Sequence, residues 1–390
     1  MNGTMGKTVA EFFAGIGLMR IGLERAGWRI AFANDIDEEK WRMYRDQFGD
    51  TGEFVVGDVH ELDSDMVPTV ALATASFPCN DLSLAGGRTG LAGAQSSAFW
   101  GFVRVLRQMA DRRPPIVMLE NVTGFLTSHD GDDFRQALLS LNELGYAVDA
   151  FIIDAVRFVP QSRQRLFVVG TRTQNPASVS ETLRFYESDS RPAALADFIF
   201  CNSQINWQVR KLPPLPKTTA RLQDVIEELS PDSQLWWSRE RCDYLLNQMS
   251  AKHREQAEAM IRGERISYGT VFRRVRHGKS MAELRTDGIA GCLRTPRGGS
   301  GRQILLVAGK GTFAVRLLTP RECARLMGAD DFVINVPLNQ ALFGFGDAVC
   351  VPVVEWIGLN YLNALWDEDS AMLRPIRHRA RPVSYRRAAR

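Results

Sequence analysis

The chain is poor in the residues that build metal centres and covalent frameworks. Its 390 residues include five histidines and six cysteines. The cysteines stand at positions 79, 201, 242, 292, 323 and 350, with no C-x-x-C pair among them. Neither a structural zinc site nor a disulfide framework is expected from that pattern at this length. Long apolar runs are missing too, since none approaches the roughly 20 residues that span a bilayer. The fairly apolar segment 9–19 is interrupted by Glu11 and small residues, with no cleavage signal behind it. It does not read as a secretory leader. These absences point away from membranes and toward a cytoplasmic protein. Net charge is small as well, +3, and it is unevenly placed. Residues 374–390 carry seven arginines and no acid, so without them the remainder is at −4. Such a stretch reads as a solvated tail, or alternatively as an extra contact to phosphates.

What is present suits a globular enzyme. Hydrophobic residues make up 45% and charged residues 24%, enough for a sizeable core. The first 170 residues alternate between short apolar runs and helical patterns. Segments 9–13, 29–34, 54–56, 70–77 and 116–120 read as strands, with 147–154 and 166–169 as a final pair. Phe99, Phe102, Val103 and Leu106 recur at helical spacing. A second helix is expected over 132–144, ended near Gly145. Alternation of this kind predicts an α/β fold, with a mostly parallel sheet covered on both faces. The rhythm fades from about residue 171. There the sequence carries Pro213, Pro214 and Pro216, a polar helix around 243–261 and a Gly-rich segment at 297–302. A capping signal, Thr319-Pro320-Arg321-Glu322, restarts a helical pattern. A last helix is expected over 351–365. The expected division is a catalytic and cofactor-binding domain over 7–170 completed by 335–366, a smaller domain over 171–334, and a basic tail over 367–390.

The strand ends carry the chemistry. The first leads into Phe13-Ala14-Gly15-Ile16-Gly17, where glycines let backbone approach a ligand closely. The second ends at Asp35, about 20 residues past the first glycine, where an acid suits ribose hydroxyls. The third leads to Asp58. Three such ends on adjacent strands predict a nucleoside at the carboxyl edge of the sheet. Arg20 occupies the third glycine position of a dinucleotide fingerprint, and no P-loop Lys-Ser/Thr follows. A ligand without phosphates is therefore favoured.

The fourth strand leads to Ser76-Phe77-Pro78-Cys79. A cysteine just past a strand tip on that edge is a candidate nucleophile, against the alternative of a buried structural thiol. The small-residue stretch that follows, 81–97, reads as a loop able to close over a substrate. The fifth strand brings Glu120 to the same edge. A glutamate beside a cysteine is not the protease pairing, in which a histidine activates the thiol. Gln161, Arg163 and Arg165 precede a further strand, and two arginines at i, i+2 on extended backbone share a face. A solvated edge would give the same pattern.

Taken in order, these blocks resemble the cytosine-C5 DNA methyltransferase family. Phe13-Ala14-Gly15-Ile16-Gly17 is similar to its first block, and Phe77-Pro78-Cys79 with Ser83 and Gly86 to its nucleophile block. Glu120-Asn121-Val122 is similar to its acid block, and Gln161, Arg163 and Arg165 to its Gln/Arg block. Arg316 to Glu322 with Met327-Gly328, then Gly346-Asp347-Ala348-Val349 with Pro352, are similar to its last two. Three positions depart from the family pattern: Asn80 stands for Gln, Asp35 for Glu and Asp347 for Asn.

The resemblance implies a Rossmann-like sheet with a smaller, variable target-recognition domain. It implies an enzyme that moves a methyl group from S-adenosyl-L-methionine to C5 of a cytosine flipped out of duplex DNA. Cys79 would attack C6, Glu120 would bond N3 and the exocyclic amine, and Arg163 and Arg165 would hold the base oxygen and a neighbouring phosphate. Arg163 would also help keep Cys79 as thiolate. Phe13, Gly15, Gly17, Asp35, Ile36, Asp58, Pro78 and Val349 would line the cofactor pocket, with no metal. Ser83, Gln161, Arg297 and Arg302 would contact DNA, with Arg273, Arg274, Arg276 and Arg294 supplying further phosphate and guanine contacts. The same resemblance implies a bacterial, monomeric protein, the modification half of a restriction-modification system with a cognate endonuclease. Two rival classes share the scaffold: an RNA (tRNA) cytosine methyltransferase, and a non-catalytic DNA-binding relative.

Overall fold

The computed structural model describes residues 6–78, 98–172, 188–276, 278–295 and 301–372. Its first part is built from β1 (Thr8–Phe12), α1 (Leu18–Arg25), β2 (Arg29–Asp35), α2 (Glu38–Phe48), β3 (Phe54–Val56), β4 (Leu72–Ala75), α3 (Ala98–Gln108), β5 (Ile116–Val122), α4 (Asp132–Glu143), β6 (Tyr146–Asp154) and β7 (Gln164–Arg172). The seven strands form one sheet in the order β3-β2-β1-β4-β5-β7-β6. β1 to β5 run parallel, while β7 is antiparallel to both β5 and β6. Strand order reverses between β1 and β4, which opens a crevice at the carboxyl ends there.

Side-chain alternation splits the sheet between two cores. Val9, Leu72, Ile116 and Met118 face one way, onto Leu18 and Leu23 of α1. Ala10, Ala73, Val117 and Leu119 face the other, onto Phe99 and Phe102 of α3 and Phe134 of α4. The mostly parallel α/β sheet expected from the sequence is thus present, with helices on both faces.

The remaining elements are α5 (Ala193–Cys201), α6 (Arg239–Asn247), α7 (Ala251–Arg262), β8 (Ser267–Arg276), β9 (Lys279–Arg285), β10 (Ile304–Gly309), β11 (Thr312–Leu317), α8 (Pro320–Leu326), α9 (Leu338–Asp347), α10 (Val351–Ile357) and α11 (Asn363–Met372). Strands β8 to β11 form a second, antiparallel sheet in the order β11-β10-β8-β9. Cys242, Leu245 and Leu246 of α6 and Ala257 of α7 pack on it as a separate core. The polar stretch expected as one helix is two, because Ser250 caps a new start by accepting from the His253 amide.

Segments at both ends of the range expected for the smaller domain pack on the large sheet. Residues 188–210 pack on the large sheet: the Ile152 amide donates to Ser190, the Gln208 amide donates to Val148, and Arg191 pairs with buried Asp149 at 2.8 Å. Trp207 is buried in the same core as Val148. Likewise Leu318, Cys323, Leu326 and Met327 share the core of Val9 and Leu23. The capping box at Thr319 is present, with Glu322 returning to the Thr319 amide.

The helical stretch Leu338–Glu368 has the length and apolarity of a bilayer span, contrary to the expectation that none would. Packing explains its composition. Val351, Val354, Ile357 and Leu362 lie in the core with α1, and residues 348–350 interrupt the helix.

Candidate active site

The turn after β1 requires its glycines. Gly17 caps α1 at φ 84°, and an added Cβ there would fall 2.4 Å from the Phe48 ring. Gly15 also has positive φ, but a Cβ on it would meet no protein atom within 4 Å. The same holds at Gly57, and both residues line one open cleft. That space is kept clear of protein, as a ligand pressed against backbone demands. Phe13 adopts φ 58°, a conformation that costs a non-glycine residue about 1–3 kcal/mol.

Asp35, at the tip of β2, is buried and clamped. Its Oδ2 accepts from the Gly15 amide at 2.8 Å and its Oδ1 from the Asp37 amide at 3.0 Å. Burial pushes its carboxyl up, opposed first by the Lys40 ammonium. Lys40 itself is paired at 2.9 Å with Asp347. Ile36 is exposed beside it, 66% accessible, which is unusual for an isoleucine and leaves a flat apolar surface in the cleft. Asp58 Oδ1 accepts from the His60 amide.

Across the crevice, β5 presents Glu120. Its side chain is buried and ion-paired with Arg165 Nε at 3.0 Å. Burial pushes this carboxyl above its usual range, while Arg165, Arg163 and the Ser76 hydroxyl pull it back. Asn121 donates to the Phe77 carbonyl at 3.2 Å, which fixes the strand end that leads to Cys79. Phe13, Gly15, Asp35, Ile36, Asp58, Pro78, Glu120, Arg165 and Val349 all line the cleft. The structure therefore brings together nine of the residues singled out in the sequence. Cys79, Ser83 and Arg297 lie outside the described residues.

Two expected contacts are placed differently. Gln161 is fully buried: its amide nitrogen donates to Leu326 O at 2.7 Å and its oxygen accepts from Leu293 N at 3.0 Å. Both ends of its side chain are thus engaged inside the protein. Arg163 is buried as well, and donates to the carbonyls of Leu293, Gly346 and Ala348 at 2.8, 3.1 and 2.6 Å. It ties the start of β7 to the strap 290–295 and to the end of α9. Arg302 stands at the edge of the smaller sheet, donating to Asn339.

Sequence reasoning missed Glu11, Lys40 and Cys292. Glu11 lines the cleft, is 2% exposed, and has an Oε2 without a partner. Burial lifts its carboxyl to about 8. The signal available was an acid inside an otherwise apolar strand. Cys292 also faces the cleft, 3.4 Å from Arg163. Burial alone would raise its thiol, but Arg163, Arg165 and Arg294 outweigh that and hold it below the ordinary range. Only folding brings it there, so no local signal existed.

The arrangement offers a pocket with a clamped acid at a strand end beside a buried carboxyl and guanidinium pair. Comparison with known proteins gives it a name. Residues 7–363 match the C-5 cytosine-specific DNA methylase family. The chain is 29% identical over 358 residues to the Type II methyltransferase M.DsaV of Dactylococcopsis salina, covering 90% of this chain and 85% of that one. It is 25% identical to M.HhaI of Haemophilus parahaemolyticus, covering 91% and 94%. Among solved structures, the Dnmt2 methyltransferase of S. pombe superposes with a TM-score of 0.60 at 19% identity, over 92% of this chain and 98% of that one. The match spans both strand-end halves of the cleft, and the chain belongs to the C-5 cytosine-specific DNA methylase family, an enzyme of the DNA (cytosine-5-)-methyltransferase class.

Proposed function

We propose that the chain methylates C5 of a cytosine at a specific site in duplex DNA, as the modification half of a bacterial restriction-modification system. The observation that carries this reading is the buried Glu120–Arg165 pair in one cleft with the Gly15–Asp35 clamp. One side suits a pyrimidine ring and the other a nucleoside.

S-Adenosyl-L-methionine fits the second side. Asp35 supplies a carboxylate for ribose hydroxyls, Asp58 a further acceptor, and Ile36 and Phe13 apolar surface for a purine. When bound, this cofactor supplies an electrophilic methyl group. The chain's own residues prepare the base. Cytosine C5 is a weak nucleophile, so the Cys79 thiolate adds to C6 and makes C5 electron-rich. Glu120 donates its proton to N3, which offsets charge as the thiolate adds. Arg165 holds Glu120 and faces the base oxygen. Once C5 has gained a methyl group, loss of its proton to solvent, expulsion of the Cys79 thiolate and return of the N3 proton to Glu120 restore the ring and the carboxyl. The target must leave the helix to reach both groups, at a cost of a few kcal/mol. The wide cleft between the two sheets gives room for it.

Tritiated methyl transfer from S-adenosyl-L-methionine to plasmid DNA tests the reading, with transfer RNA as the competing substrate. Transfer to duplex DNA that is lost in Cys79→Ser is the expected result. Transfer to RNA alone, or full activity in Cys79→Ser, overturns it.

A further inference from the structure

We propose that Cys292 is a positioning residue for methyl transfer: its sulfur supplies the anion that balances Arg163 and Arg165, so that Glu120 can carry a proton to the base. The proposal rests on the reaction given above and adds a group to it.

Arg163 is a buried cation in need of an anion. It is 2% exposed, and a charge taken out of water is stable only when paired and hydrogen-bonded. Among the described residues it has no carboxylate within ion-pair distance. Three of its contacts are neutral carbonyls, and its Nε is buried without a partner. The remaining contact is Cys292, whose Sγ lies 3.4 Å from Nη1. Arg165, two residues on, is ion-paired with Glu120 and also hydrogen-bonds Cys292. Among the described residues, two guanidiniums thus stand against one carboxylate and one sulfur.

The other ionisable groups leave the sulfur that task. Arg294, on the same strap, adds a third cation. Cys350, at the start of α10, also acts on Arg163, but burial pushes its thiol up to about 12, so it stays neutral. Burial alone would raise Cys292 as well, and Arg163, Arg165 and Arg294 reverse that. Burial and then Arg165 disfavour the charge on Arg163; of the groups that favour it, Cys292 counts most, ahead of Glu120 and Cys350.

The strap holds the sulfur in place. Gln161 accepts from the Leu293 amide, and Gln303 Nε2 donates to the Cys292 carbonyl at 3.3 Å. A neutral thiol would donate to the Leu293 carbonyl, 3.3 Å away, and compete there with Arg163. The ionised sulfur only accepts, so it leaves that carbonyl to Arg163 and takes donors from both arginines.

The consequence falls on Glu120. Burial holds the proton on this carboxyl, against the pull of Arg165 and then Arg163. A charged sulfur beside the two arginines weakens their pull, and Glu120 keeps the proton that N3 receives. A neutral group at 292 leaves both cations to Glu120, which then ionises at lower pH.

Two measurements on the full chain test this. Alkylation by iodoacetamide over a series of pH values, with peptide mapping, reads the sulfur directly, and the exposed Cys201 in the same sample is the reference. Each rate is scaled to its own alkaline plateau, so access to the cleft cancels. The midpoint for Cys292 should lie below that for Cys201, by about one pH unit. A midpoint at or above that of Cys201 would overturn the proposal. This measurement requires neither DNA nor a substitution, so it stands even where a variant does not fold. Cys292→Asp and Cys292→Asn differ in charge and hardly in shape. In single-turnover methyl transfer, the alkaline limb, set by loss of the Glu120 proton, should move about one pH unit lower in Cys292→Asn. Cys292→Asp should keep the limb near the parent's, because its carboxylate supplies the anion. Equal limbs in the two variants would make Cys292 a packing residue and overturn its role. A low midpoint for Cys292 with no methyl transfer to DNA by the parent would instead overturn the proposed reaction, and the part of Cys292 with it.

Discussion

Lys40 Nζ lies 2.9 Å from Asp347 Oδ2, although the two residues are 307 apart in sequence. The pair joins the first turn of α2 to the last residue of α9 and closes one wall of the cleft. Asp347 stands where the family more often has asparagine, so the extra charge is matched by a cation from a helix far away in the chain. Lys40 also opposes the burial that pushes Asp35 up. Lys40→Met should therefore weaken S-adenosyl-L-methionine binding by ~1 kcal/mol, the scale of a partly exposed ion pair. Adding Asp347→Asn should restore part of the loss, because the stranded carboxylate is then gone. Isothermal titration of the two single variants and the double variant measures this coupling. Strictly additive losses would show that the pair does not act as a unit.

Glu120 should be needed for chemistry and not for cofactor binding. It lies on β5, across the crevice from Asp35. Glu120→Gln keeps a hydrogen-bond donor toward N3 but cannot move a proton there. General acid–base groups contribute about 100- to 10,000-fold to rate. A single-turnover rate at least 100-fold lower is expected, with a cofactor dissociation constant within about twofold of the parent. A rate near the parent's would remove Glu120 from the reaction.

Glu11 makes stability depend on pH. Burial raises its carboxyl from 4.5 to about 8, with Arg20 opposing and Glu24 and Asp35 adding to the rise. The folded chain thus keeps a proton that the unfolded chain gives up above 4.5. The contribution of this site to stability is complete below 4.5 and is lost as pH rises through about 8. Glu11→Gln is neutral at every pH, so its melting temperature should fall less than the parent's between about pH 5 and pH 9. Parallel melting curves for the two proteins would refute the assignment.

Much of this site was readable because its residues sit at strand ends. Gly15, Asp35, Asp58 and Glu120 each follow an apolar run whose period marks a strand, and a parallel sheet puts all such ends on one edge. The residues that hold the edge in place were not readable. Gln161 and Arg163 look like surface polar groups, yet both are buried against the strap 290–295, which only the folded chain brings near. Which residues past 171 pack on the large sheet was unreadable for a similar reason. Arg191 and Trp207 flank the short apolar helix α5, outside the strand–helix alternation of the first 170 residues, but they pack on Asp149 and Val148 of β6.

That packing has a practical consequence. A chimera that replaces residues 171–316 with those of a relative would remove α5, Arg191 and Trp207 from the core of the large sheet. A chimera limited to 211–317 keeps them, and also keeps the Arg191–Asp149 pair. Breaking such a buried pair by removing one partner costs about 3–5 kcal/mol. The shorter exchange should therefore yield soluble enzyme with the relative's site preference, and the longer one should be markedly less stable. Bisulfite mapping of methylated sites, alongside melting curves, checks both. A soluble short chimera that keeps the parent's site would show that sequence choice lies elsewhere.

The last expectation concerns what Arg163 does. A base contact and a brace predict different variants. If its guanidinium faced the cytosine, Arg163→Ala would slow methyl transfer and leave the fold untouched. The observed partners are three carbonyls, those of Leu293, Gly346 and Ala348, in two separate segments. Removing the donor leaves these acceptors buried, at about 1–3 kcal/mol for each one left unsatisfied. It also frees the strap 290–295 from β7 and from the end of α9. Arg163→Ala should therefore lower the melting temperature and, in hydrogen exchange, raise the exposure of the amides of Leu293 and Ala348. Arg163→Lys should recover little, because one ammonium cannot reach three carbonyls that a planar fork spans. A variant with native melting and exchange but slow transfer would return Arg163 to the base.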